Sequence, residues 1–205
     1  IQYIISIHIP IILTVLTPLA LGWRYPAIFT PLHIIFLELI MGPTCSIIYE
    51  NEPMEENTMQ QRPRPFTTTF FNWKELSTSI FQGLMITLGT LGTYRYAIHH
   101  GADEATTRTM VFVSLITANI FLTLVNRSFF YSLLTVITYK NNMVPFIIAI
   151  TTMVAAALIS WPPFAVFFGF STISSSALLF SITTGFVSVA WFEVVKLKIR
   201  YDHRN

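Results

Sequence analysis

Six runs of about 17 to 23 mostly apolar residues, separated by polar connections, constrain this chain more than any other feature. They cover roughly 1–23, 33–49, 76–98, 109–125, 143–161 and 174–195. At about 1.5 Å per helical residue, each run is long enough to cross a hydrocarbon core of about 30 Å. No water is available there to satisfy exposed amides, so each run must close its own hydrogen bonds as a helix. The expected fold class is therefore all-α, a polytopic membrane bundle of six transmembrane helices forming one domain over residues 1–205. Composition agrees: 53% of the 205 residues are hydrophobic and only 11% are charged, where a soluble domain carries nearer a quarter.

Several function classes fall away. The net charge of +2 arises from basic residues at span ends rather than in a stripe, so the expected partner is the lipid bilayer and not a nucleic acid. One cysteine, Cys45, rules out a disulfide framework. Neither a G-x-x-x-x-G-K-[ST] loop nor a G-x-S-x-G elbow occurs, so no catalytic residue is expected in this chain. The sequence opens on Ile1 inside an apolar run, without an initiator methionine or a signal-peptide pattern. That start reads as a piece of a longer polypeptide.

Positive charge sets the expected orientation. Nine Lys and Arg residues fall in the even-numbered connections and the tail, and three (Arg24, Arg95 and Arg108) in the odd-numbered ones. The positive-inside rule then puts the 50–75 loop and the C-terminus in the cytoplasm.

Glu38 is the one carboxylate well inside a span. A charge at that depth is costly and marks an ion or proton path more often than a structural pair. Gly42 and Pro43 follow it and predict a helix break. Proline lacks an N–H and crowds the carbonyl four residues back, so the oxygen of Leu39 is left to bind something else. The first span carries a similar pair, in which Pro10 frees the carbonyl of Ser6 and His8 offers an imidazole beside it. Asn119, in TANIF, supplies either an oxygen ligand or an interhelical hydrogen bond. Carboxylate plus freed carbonyl at mid-membrane is the pattern of a cation site, with Glu38 and His8 its metal-binding candidates. Gly83, Gly89 and Gly92 read as close helix packing, and Glu193 is placed to pair with Lys196 one turn on.

The stretch PLHIIFLELIMGPTCS, followed by NEP and MQQRPRP, resembles the sixth membrane helix and following loop of P-type cation-transporting ATPases, closest to the calcium-pump branch. YIISIHIPII resembles the fifth helix, RTMVFVSLITANIFLTLVNRS the eighth and WFEVVKLKIR the end of the tenth. The six spans thus resemble the fifth to tenth helices. The resemblance implies an ion-translocation domain of a pump coupling ATP hydrolysis to cation transport. ATP and Mg would be bound by domains absent from this chain, which alone should not hydrolyse ATP. By position, the family's fifth-helix asparagine and glutamate fall on His8 and Ile11. Its sixth-helix asparagine, threonine and aspartate fall on Glu38, Met41 and Gly42, and its eighth-helix glutamate on Asn119. Calcium is the cargo the resemblance implies, yet calcium wants several carboxylates and only one is present. The 50–75 loop would contact the phosphorylation domain, with Glu52, Pro53, Arg62 and Arg64 relaying its state. The first four helices would be further partners, and a bacterial plasma membrane is the expected location. Two alternatives remain at this point: a non-catalytic structural membrane module, or a stand-alone secondary transporter or channel.

Overall fold

The computed structural model describes residues 2–52, 73–128, 141 and 143–202; Pro53, Arg62 and Arg64 lie outside them. Among the described residues there are seven helices and no strand. They are α1 (Gln2–Ala20), α2 (Pro31–Glu50), α3 (Trp73–His99), α4 (Glu104–Val125), α5 (Met143–Ser160), the short α6 (Pro162–Phe168) and α7 (Ser175–Asp202). The architecture is an all-α bundle. α3 and α4 form its centre, with α1 on α3 and α7 across both; α2 packs on α5, which leads into α6.

Helix ends follow local chemistry. α1 stops where Gly22 adopts φ 60°. Its N–H bonds the Leu19 carbonyl and the Trp23 N–H bonds that of Pro18 at 2.9 Å. α3 stops the same way at Gly101, with φ 73° and a 3.0 Å bond from the Ala102 N–H to the Ala97 oxygen. Glycine enters this left-handed region without a Cβ penalty. α2 starts at Thr30 with Pro31 behind it. There the Thr30 N–H donates to His33 Nδ1 at 3.1 Å, an imidazole filling the role glutamate usually has. His33 Nε2–H then donates to the Phe168 carbonyl at 2.7 Å, fastening α2 to α6. At the start of α4, hydrogen bonds from the Thr106 hydroxyl and N–H hold the Asp103 carboxyl below the usual carboxylate range.

Five helices, α1, α2, α4, α5 and residues 175–198 of α7, are long and apolar enough to cross a membrane. The expected third span is a 27-residue helix, α3, but it falls short on apolarity. The reason lies in its position. Ser79, Gln82, Thr87, Thr90 and Thr93 are all buried within the bundle. Gln82 exchanges hydrogen bonds with Asn126 (3.0 and 3.3 Å) and accepts from Ser6 at 3.1 Å. The Thr90 and Thr14 hydroxyls meet at 2.9 Å. Only the face of α3 turned into the bundle carries these polar groups, while Ile80, Phe81, Leu84 and Leu88 face outward. The outward faces are apolar instead, as at Ile4, Ile12, Leu16, Ile35 and Leu39.

Glycines set the closest helix approaches. A Cβ on Gly83 would lie 2.7 Å from Ile9 Cβ and 3.1 Å from the Ser6 carbonyl oxygen, and one on Gly89 2.9 Å from Ser188 Cβ. Gly92 faces open space, so it does not share the packing role expected of it. Gly185, which the sequence did not single out, is the tightest: a Cβ there would meet the Ser114 carbonyl oxygen at 2.6 Å and Ala118 N at 3.0 Å. These are backbone atoms that cannot rotate away, so Gly185→Ala forces α7 from α4. Thermal unfolding in detergent should show Gly185→Ala clearly destabilised and Gly92→Ala near wild type. Equal melting temperatures would contradict this packing.

Candidate cation-binding site

Glu38 and His8 face each other across the gap between α2 and α1. His8 Nε2 lies 3.2 Å from Glu38 Oε2, and the two side chains are 44% and 40% exposed. The pair lines a cavity of about 470 Å³ with Tyr3, Ser46, Tyr49 and Glu50. On α2 the residues Glu38, Gly42, Ser46 and Glu50 recur every four positions, so one helix face presents them all to the cavity.

The proton on His8 follows from its second contact. Nδ1 lies 2.7 Å from the Ile4 carbonyl oxygen, which only accepts, so Nδ1 carries a hydrogen. In a neutral ring Nε2 then presents a lone pair to a carboxylate, and two acceptors repel. A proton on either group, or a cation between them, would make that 3.2 Å approach attractive.

The other candidates are placed differently. Asn119 does not reach this cavity. Tyr3 stands between, its ring lining the cavity and packing edge-to-face on Tyr49 at 5.4 Å. The Tyr3 hydroxyl donates to Asn119 Oδ1. Thr123 Oγ1 sits 3.2 Å from that hydroxyl and 2.9 Å from the Asn119 carbonyl. Asn119 instead borders a void of about 10 Å³ with Ile48 and Thr151, roughly the room of one water. Ser6 is wholly buried; its hydroxyl bonds Gln2 O at 3.0 Å and Gln82 at 3.1 Å, and its carbonyl faces Gly83 of α3. Leu39 turns a 65% exposed side chain outward. The break expected at Gly42-Pro43 does not interrupt α2, and α1 likewise continues through Pro10. A proline removes one hydrogen bond, and the surrounding turns suffice to hold the helical path. Ile11 and Met41, which stand at two ligand positions of the resembled family, are 3% and 1% exposed members of the apolar core. Among the described residues, no three His, Cys, Asp or Glu side chains converge as a metal site.

Glu52 is held where α2 ends. Arg127 grips both its oxygens, with Nε–Oε2 at 2.9 Å and a terminal nitrogen at 2.8 Å from Oε1. Asn141 Nδ2 donates to Glu52 Oε2 at 2.9 Å and lies 3.1 Å from the Ile48 carbonyl. Nearby, Lys196 is 1% exposed and donates to Glu193 at 2.8 Å and to the Val125 carbonyl at 2.5 Å, realising the expected pair. Sequence reasoning missed Arg127 and Asn141. The signal available was Asn-Arg-Ser closing an apolar run, which reads equally as a solvated span end.

The sequence profile described as "Cation transporting ATPase, C-terminus" matches residues 26–198, most of the chain. The chain belongs to that family. It is a C-terminal membrane part of a P-type cation-transporting ATPase. The match includes Glu38 and Asn119, whereas His8 lies ahead of it. No individually curated protein matches the chain.

The Arg127 guanidinium is 2% exposed, so removing its carboxylate partner strands a buried charge. Glu52→Ala should cost about 3–5 kcal/mol of stability, read as a lower unfolding temperature in detergent. A loss no greater than that of an exposed substitution such as Lys198→Ala would overturn this account of the clamp.

Proposed function

We propose that this chain is the ion-translocating half of a P-type pump whose full-length form couples ATP hydrolysis to movement of a cation past Glu38 and His8. The observation that supports the reading is the His8–Glu38 pair, an imidazole and a carboxylate 3.2 Å apart that line one cavity. Such a pair exchanges a proton for a cation with little rearrangement. Glu38 stands well inside a span, where an unpaired charge is costly, and His8 is the partner that faces it. Chemistry of the cargo follows from donor count. Calcium takes about six to eight oxygens, whereas Glu38 with His8 suits a proton or a single transition-metal ion; Glu50, the cavity's other carboxylate, stands about 18 Å further along α2. We therefore rank those cargoes above the calcium implied by resemblance. Asn119 acts here through Tyr3, as a support for the cavity wall rather than a direct ligand. Glu52, pinned to Arg127, stands two residues beyond the helix that bears Glu38, so a push on the following loop would reach the site through α2.

ATP hydrolysis by the purified full-length protein, measured across a panel of cations and pH values, tests the proposal. Stimulation by one ion is expected, and Glu38→Gln should abolish it, because an amide donates to His8 Nε2 and leaves no charge for cargo to neutralise. Hydrolysis indifferent to every ion and to Glu38→Gln would refute transport through this pair.

A further inference from the structure

A second cavity, of about 700 Å³, lies at the opposite end of the bundle from the Glu52–Arg127 clamp. Its walls are the two glycine-terminated helix ends, Gly22 to Arg24 after α1 and Tyr94 to His100 closing α3. Four groups able to carry positive charge line it: Arg24, Arg95, His99 and His100. The carboxylates nearest in sequence are engaged elsewhere. Asp103 caps α4 through Thr106, and Glu104 pairs with Arg108. Among the described residues, neither Arg24 nor Arg95 has a recorded ion pair. Each is held over an aromatic ring instead, Arg95 at 5.1 Å from the Trp23 centroid and Arg24 at 5.5 Å from that of Tyr25. Stacking orients a guanidinium while leaving its N–H edge available to a bidentate oxyanion.

Charge magnitudes decide the sign of the ligand. The α3 C-terminus contributes roughly half a negative charge, whereas the two arginines alone bring two full positive ones; His100 has its Nδ1 on the Tyr96 carbonyl at 2.9 Å. The occupant is therefore an anion. Position decides its kind. The cavity sits where helices end among Trp23, Tyr94 and Tyr96, the aromatic band found at the membrane–water boundary. Leu19 and Leu21, 59% and 63% exposed, continue the surface toward the apolar side. A phosphate held by the arginines with acyl chains along those leucines satisfies both surfaces.

The geometry points to a binding site for the phosphodiester headgroup of an anionic phospholipid between the α1 and α3 ends, gripped by Arg24 and Arg95. Of the three arginines on this side of the bundle, Arg108 serves the fold: it bonds the carbonyls of Ile28 at 2.7 Å and Gly169 at 2.9 Å. The other two converge on the cavity. The site is independent of cation transport, since none of its residues lines the His8–Glu38 cavity.

The test uses the full-length protein in nanodiscs of phosphatidylcholine doped with phosphatidylglycerol, with native mass spectrometry counting retained lipid. Wild type should retain phosphatidylglycerol about tenfold more than R24A/R95A, the effect of losing charge-assisted hydrogen bonds. R24K/R95K, which keeps the charge and the fold but not the fork, should fall between. Lys198→Ala, at the other end, should match wild type. Equal retention in wild type and R24A/R95A, or in R24A/R95A and R24K/R95K, overturns the proposal. Displacement of the lipid by millimolar inorganic phosphate overturns it too, making the cavity a free-oxyanion site.

Discussion

The buried polar face of α3 is the constraint on which the rest of this bundle depends. Ser79, Thr87 and Thr93 donate to carbonyls of their own helix, but the Gln82 amide is too polar to be left unsatisfied in hydrocarbon, at a cost of several kcal/mol. Its partners come from other elements: Ser6 of α1 and Asn126 at the end of α4 both meet Gln82. Close approach is then set by side chains that are absent, at Gly83 toward α1 and Gly89 toward α7. Lipid offers no hydrophobic force between apolar helices, so packing and polar contacts decide which faces meet. α1, α4 and α7 are thereby arranged about α3.

The cation-binding candidates sit beside this rigid centre rather than within it. α1 is anchored by α3 and α2 by α5, and the space between α1 and α2 is left as a cavity. His8 and Glu38 project into it from two separately supported helices. A relative shift of α2 would change the 3.2 Å separation directly. The clamp of Arg127 and Asn141 holds Glu52 just beyond the last turn of α2, with Asn141 also on the Ile48 carbonyl. Tyr3 couples the cavity wall to the interior by its bond to Asn119. Fold and site are thus joined through a few polar contacts, each between different helices.

Much of the architecture was legible from apolar run length, because a bilayer permits few alternatives to helices of that size. The runs at 1–23, 33–49, 109–125, 143–161 and 174–195 correspond to α1, α2, α4, α5 and α7 within a few residues, apart from the longer tail of α7. The run at 76–98, expected as a span like the others, became α3, whose polar residues are buried on the face turned into the bundle. The proline positions misled locally. Pro10 and Gly42-Pro43 break hydrogen bonds on paper, yet the helices continue through them. Glu38 stood out because a lone intramembrane carboxylate is conspicuous in sequence; Arg127 did not, because a basic residue at a span end is ordinary.

What the sequence determined alone is the medium, the helices and the one charge that does not belong in the medium, since each follows from transfer energies of residues read in order. What the tertiary structure decided is pairing. His8 meets Glu38 across 30 residues of chain, Tyr3 meets Asn119 across 116, and Glu52 meets Arg127 across 75. Such contacts depend on which faces α3 recruits and how near its glycines let them come. Those are properties of three-dimensional packing, and no one-dimensional pattern encodes them.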